Sequence, residues 1–163
     1  MSTIRQIESR ISLQPQFLTK NYVNALFEKL CLVTKNHCNN DYGFILKVNK
    51  IISIKDNFIS NVDCEIIFVV RYEAETLKPE LGKEFDGVVC MIFHGGIFVS
   101  IKNKFEVLVP ISKLENFVYD SNSKSFTKAS GETIREKDSI KVKIIGLKYC
   151  TDKKYKCFGE VSE

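Results

Sequence analysis

The sequence predicts an α+β chain, with one helix on a small antiparallel sheet in its first half and a five-stranded barrel in its second. Three observations carry this. Apolar residues recur at helical spacing in one long stretch near the N-terminus, "PQFLTKNYVNALFEKLCLVTKN". Most of the remaining apolar residues sit in β-branched segments that alternate with a period of two. Glycines punctuate the second half at Gly87, Gly95, Gly96 and Gly146, where a tightly coiled barrel must bend or pass backbone closely.

The chain has 163 residues, enough for one ordinary domain or two small ones sharing a seam. An apolar share of 44% supports a packed core and argues against disorder. The net charge of +4 permits contact with a polyanion without demanding it. No apolar run approaches the ~18 residues that span a bilayer. The start, "MSTIRQIESRISLQP", lacks the apolar core of a signal peptide, so a soluble intracellular protein is expected. The six cysteines form no C-x-x-C pair, which favours reduced thiols in the core over a metal site. No cofactor is implied.

In chain order, "IESRISL" reads as a short strand. Pro15 precedes a helix whose expected stripe is Leu18, Tyr22, Leu26, Leu30 and Val33, with Thr19 or Asn21 able to cap an early turn. After the turn "NNDYG", the segment "FILKVNKIISI" shifts to period two. In "DCEIIFVVRYEA", residues Cys64, Ile66, Phe68, Val70 and Tyr72 point one way and Glu65, Arg71 and Glu73 the other, where Ile67 and Val69 interrupt the polar face. Both faces are therefore expected to be covered. "LKPELG" then divides the chain, giving expected domains of residues 1–80 and 81–163.

The second half supplies "FDGVVCMIF", "GIFVSI", "EVLVPIS", "SIKVKIIGLKY" and "YKCFGEV" as strands, with a polar insertion loop at about 116–138. Five such strands suit an OB-fold barrel. In "GIFVSI", Ile97, Val99 and Ile101 alternate inward, so Phe98 faces out with Ser100. Lys141 and Lys143 likewise face out beside Val142. An outward phenylalanine is a platform for a base, and lysines beside it track phosphates. The candidate RNA-contacting set is Phe93, Phe98, Lys102, Lys104, Lys141, Lys143, Lys148, Lys153 and Lys154. Exposed lysines are common on any barrel, however, and one outward phenylalanine can simply be a packing residue.

The segment "FDGVVCMIFHGGIFVSIKNKFEVLVPISKL" resembles the RNA-binding OB module of ribosomal protein S-one, polynucleotide phosphorylase and exosome caps. "ISLQPQFLTKN" with its helix, "CNNDYGFILKVNKI" and "IIFVVRYEAETLKPELGKEFDGVV" resemble the larger stalk subunit of DNA-directed RNA polymerases. That is the family of the polymerase II seventh subunit and its archaeal counterpart. The resemblance runs in order along almost the whole chain. It implies a truncated RNP-like tip domain that docks on the polymerase core, through Tyr42, Gly43, Lys78 and Pro79 here. It further implies an OB domain near nascent single-stranded RNA, and a small helical stalk subunit as heterodimer partner. The implied location is the nucleus for a cellular polymerase II-type subunit. It is the host cytoplasm or virion for a viral one. A sequence rich in Ile, Lys and Asn suits an AT-rich genome, such as a parasite's or a large DNA virus's.

The chain departs from the RNA-binding module at three places. A second outward aromatic is replaced by Gly95, a histidine by Pro110 and an acidic residue by Lys148. These changes point to weak, sequence-tolerant binding. Catalysis is not expected. His37 and His94 fall in different expected domains without a Ser-His-Asp or Cys-His context, and Gly95-Gly96 leads into a strand rather than a phosphate loop. The expected function is a non-catalytic polymerase stalk subunit; the alternative is an RNA-binding OB-fold adaptor of a translation or RNA-decay complex.

Overall fold

Strand β1 (Thr3–Leu13) pairs antiparallel with β4 (Ile66–Leu77), which pairs with β3 (Gly43–Ile59), and the start of β3 pairs with the short β2 (Cys38–Asn39). This is a computed structural model, describing residues 2–35, 37–152 and 154–162. The chain divides into two units, Met1–Lys78 and Pro79–Glu163.

In the first unit, helix α1 (Tyr22–Thr34) packs on one face of the sheet. Leu26 and Leu30 meet Ile7, Ile11 and Leu13 of β1 and Phe68, Val70, Tyr72 and Ala74 of β4 in one buried cluster. Its buried face follows strict steps of four, from the half-buried Tyr22 through Leu26 and Leu30 to Thr34. The expected stripe therefore needs correcting at both ends. Leu18 lies ahead of the helix, after a 3-10 turn at Pro15–Phe17, and is exposed; Val33 is also exposed. Thr34 takes the inner position because its Oγ1 donates to the Leu30 carbonyl at 2.7 Å, satisfying the hydroxyl within the helix. Asn21 occupies the N-cap without a side-chain cap bond, and Thr19 Oγ1 accepts from the Asn21 amide instead.

Strand β3 does not keep the expected period of two. Ile45, Val48, Ile51 and Ile54 stand opposite Thr76, Ala74, Tyr72 and Val70, so three residues of β3 match two of β4. Irregularities recur between Ile45 and Lys47, Val48 and Lys50, Ile51 and Ser53, and Ile54 and Asp56. Each inserts one unpaired residue and adds twist, so an apolar spacing of three keeps one face inward along a strongly coiled strand. On the outer face of β4, the neighbouring strands add charged side chains beside Arg71. Glu8 is opposite Arg71 and bonds Lys55 at 2.7 Å, while the Arg10 guanidinium lies 5.7 Å from the Phe58 ring centre. Cys64 sits before the strand at a positive φ of 58° and is exposed, not part of the inward row.

The second unit is a closed barrel in the order β11-β12-β7-β6-β5. Its strands are β5 (Glu84–Phe93), β6 (Gly96–Ile101), β7 (Phe105–Pro110), β11 (Ser139–Tyr149) and β12 (Tyr155–Val161). The β12–β7 pairing is parallel and the others antiparallel, as in an OB-like barrel. Val89, Ile97, Val99, Val107, Val109, Val142 and Ile144 fill the interior. The stretch expected as an insertion loop folds as a meander of β8 (Phe117–Asp120), β9 (Ser125–Lys128) and β10 (Thr133–Ile134), with Phe126 fully buried. The α+β expectation shifts accordingly. The described chain is mostly β, with one α-helix confined to the first unit.

Candidate nucleic-acid interface

Strand β6 behaves as its alternation predicts. Ile97, Val99 and Ile101 are buried, and Phe98 lies on the outer surface, half-buried. Its register neighbours turn one ring into a belt. Phe98 stands opposite Met91 on β5 and Leu108 on β7, and Leu108 stands opposite Phe158 on β12. Met91 and Phe158 are 49% and 46% exposed, so the belt presents apolar surface at both ends. The Phe93 ring stacks on Phe98 with centroids 5.7 Å apart and planes 20° from parallel. His94 meets the Phe93 ring edge-on at 5.9 Å.

The glycine in the aromatic slot now has a physical reason. A Cβ on Gly95 would lie 2.6 Å from Cε2 of Phe93, so the Phe93 ring occupies the space beside that position. Pro110 ends β7 opposite Gly96 and offers no side-chain donor. Cys90 projects at a bulge between Val89 and Met91, and its Sγ donates to the Phe98 carbonyl at 3.3 Å. The site therefore offers rings and apolar surface, with few groups suited to reading base edges.

The sequence-nominated lysines separate into two groups. Lys102 and Lys104 sit on the β6–β7 turn, where Lys102 and Asn103 have positive φ and the Lys104 amide closes on the Ile101 carbonyl. Lys102 is four residues from Phe98 along β6, roughly 13 Å at ~3.3 Å per residue. Because β12 runs parallel to β7, the β11–β12 hairpin opens at that same end of the barrel. Lys148 and Lys154 belong to this hairpin, and Lys148 stands directly opposite Lys156. Lys153 lies outside the described residues. Lys141 and Lys143 form the other group. They stand opposite Asp86 and Glu84 on the β11–β5 seam, and Lys143 also faces Glu160 on β12. The barrel order puts that seam across from β7, and acids neighbour both lysines there. The structure does not bring them to Phe98.

Phe158 was not singled out from the sequence, yet the test that placed Phe98 finds it. In "YKCFGEV", Tyr155, Cys157 and Gly159 are buried, so Lys156 and Phe158 must face out.

In the first unit, Tyr42 is half-buried against the core cluster, and its amide is held by Asn39 Oδ1 at 3.3 Å. Gly43 is buried with a φ of 77°, and Lys78 is half-buried. In the second unit, Pro79 is buried.

Residues 78–152 match the family model described as the S1 RNA binding domain. The chain is similar to DNA-directed RNA polymerase II subunit RPB7 of Saccharomyces cerevisiae, 29% identical over 151 residues, which cover 90% of this chain and 87% of that protein. It is also similar to Ribonuclease R 1 of Lactococcus lactis, 26% identical over 87 residues, which cover 52% of this chain but only 11% of that enzyme. Among solved structures it aligns with apo RNase R of Mycoplasma genitalium at 19% identity and a TM-score of 0.41, covering 48% of this chain and 13% of the enzyme. The complex of that enzyme with ribose methylated single-stranded RNA aligns at 17% identity and a TM-score of 0.43, covering 50% and 13%.

Proposed function

We propose that this chain is the larger stalk subunit of a multisubunit DNA-dependent RNA polymerase, without an active site of its own, contacting nascent RNA near the exit path. The observation that carries the reading is coverage. Likeness to the yeast polymerase II protein runs over 90% of the chain, and so through both units, whereas an RNA-binding barrel alone needs only the second. The S1 match and the outward Phe93–Phe98 pair support contact with single-stranded RNA. Lys102, Lys104, Lys148, Lys153 and Lys154 supply phosphate contacts in this reading. Tyr42, Gly43, Lys78 and Pro79 shape the end that docks on the polymerase core. A small helical subunit is the partner, and the exposed Val23, Leu32 and Val33 of α1 offer it apolar surface. The nucleus is the place of action if the polymerase is cellular, and the host cytoplasm or virion if it is viral.

The test is to purify the tagged protein from its own cell and identify what accompanies it. Core polymerase subunits and a small helical protein are expected. Recovery of ribosomes or nucleases without polymerase would favour the RNA-binding adaptor, which the half-chain likeness to a ribonuclease supports. For RNA, Phe98→Ala should weaken binding of a single-stranded oligonucleotide about 5- to 150-fold, the loss of one stacking platform.

A further inference from the structure

We propose that Phe158, flanked by Lys148 and Lys156, is a second contact site for single-stranded RNA, so that one strand crosses the barrel from Phe98 over Leu108 to Phe158. The inference rests on the RNA-binding reading above and extends it to strand β12. Three observations converge there. The first is position. Phe158 and Phe98 share the outer face at matching register through Leu108, two inter-strand spacings or roughly 10 Å apart. The second is space. Phe158 stands opposite Gly146, where an added Cβ would lie 3.3 Å from Cβ and Cδ2 of the ring. The ring lies over the glycine in the space a β11 side chain would take, and it remains 46% exposed.

The third observation is charge. Lys148 and Lys156 stand directly opposite each other, both exposed, and among the described residues neither forms an ion pair. Like charges at facing positions destabilise a strand pair, and a bound anion relieves that repulsion. Lys156 is two residues from Phe158 on the same face, roughly 7 Å along the strand. The nearby acids are Glu160, two residues beyond Phe158 on the same face and opposite Lys143, Glu106 on β7 beside Lys156, and the exposed Asp152 in the hairpin. An exposed ring with cations to one side fits a ligand carrying both flat faces and phosphates. A single-stranded nucleic acid meets that description, and an apolar helix does not. At a stacked rise of ~3.4 Å per nucleotide, reaching from one ring to the other takes about three steps, so a dinucleotide cannot engage both.

The experiment measures fluorescence anisotropy of the full chain with labelled oligouridylates of two and six nucleotides, for wild type, Phe98→Ala, Phe158→Ala, Phe158→Tyr and Lys148→Ala/Lys156→Ala. Melting curves confirm that each variant is folded. Phe158→Ala should weaken hexamer binding about 5- to 150-fold, remove the advantage of the hexamer over the dimer, and be rescued by Phe158→Tyr. The lysine pair should flatten the salt dependence. Photocrosslinking with a 5-iodouridine hexamer should mark the peptide containing Phe158. If Phe98→Ala weakens the hexamer while Phe158→Ala stays within twofold and carries no crosslink, the second site is overturned and the RNA reading stands. If the wild type binds neither oligonucleotide, the reading beneath it falls too. Protection of Phe158 by a copurifying protein that leaves RNA affinity unchanged would also overturn the proposal.

Discussion

Replacing Gly43 with alanine separates a fold role from a docking role at the turn that launches β3. Gly43 has a φ of 77°, the left-handed region that costs an ordinary L-residue about 1–2 kcal/mol. Space adds to the conformational cost. A Cβ there would lie 2.7 Å from the Lys78 Cα and collide with the Leu77 carbonyl oxygen. These are backbone atoms at the end of the β3–β4 ladder, where Phe44 pairs with Leu77, so they cannot swing aside as a flexible side chain would. Overpacking of this kind typically costs about 1–3 kcal/mol. Together the two effects predict about 2–5 kcal/mol of lost stability, which lowers Tm by about 8 °C or more for a unit of this size. Denaturant melts of purified wild type and Gly43→Ala measure it, with pull-down of core polymerase performed well below both midpoints. The expected result is a large loss of stability with docking retained by the molecules that remain folded. A loss under about 0.5 kcal/mol would refute the steric reasoning. Loss of docking without loss of stability would move Gly43 from the fold to the interface.

The period-three reading of β3 predicts that Ile51→Ala, at a position packed on the core cluster, destabilises more than Ile52→Ala, at the adjacent 41%-exposed position; equal losses by urea melts would contradict it. Lys102→Ala/Lys104→Ala should shrink the slope of log affinity against log salt by up to about 0.7 per lost phosphate contact, and an unchanged slope would remove these lysines from the RNA path. Burial pushes the Cys38 thiol up to about 11 from an ordinary 9.0. Its folded pKa lies above the unfolded one, so the unfolded chain loses that proton first, and the stability contribution is full below about pH 9 and declines as pH rises toward 11. At pH 8, alkylation should spare Cys38 in the native protein and reach it after denaturation, whereas the exposed Cys64 should react in both; native labelling of Cys38 would show that the strand pair is open.

The barrel was more legible than the sheet unit, for a physical reason. Across residues 97–101 of β6, 105–110 of β7 and 155–159 of β12, inward and outward residues alternate, so Ile97, Phe98 and Val99 declare their faces from spacing alone. A bulge resets that parity. The four irregularities in β3 turn a period of two into a period of three, and spacing alone does not separate this pattern from other apolar repeats. The meander at 117–134 was hidden differently. Its strands are only two to four residues long and share a polar composition with loops, and Phe126 is its one fully buried large side chain. Lys141 and Lys143 were correctly read as outward, but outward is a full circle on a barrel. Only strand order shows that they face Asp86, Glu84 and Glu160 while Lys148 and Lys156 face each other.

That distribution of charge bears on how the proposed RNA surface would work. A net charge of +4 is too small to hold a polyanion by bulk attraction, so the placement of the lysines matters more than their number. Lys141 and Lys143 face carboxylates across the strand pair, whereas Lys148 and Lys156 face each other and have carboxylates only to the side, Glu106 on β7 among them. Beside that pair lie rings and aliphatic side chains, and Pro110 and Gly95 stand where hydrogen-bonding or further stacking groups could have specified a base. Stacking accepts any base, and phosphate contact accepts any sequence. Such a surface holds a passing strand weakly and lets it slide, as a contact with a transcript whose sequence changes at every step requires. Tight recognition of one motif would arrest that movement. The prediction follows directly: affinities for oligouridylate, oligoadenylate and mixed hexamers should agree within about tenfold, and a preference of a hundredfold or more would mean that base edges are being read by groups outside this belt.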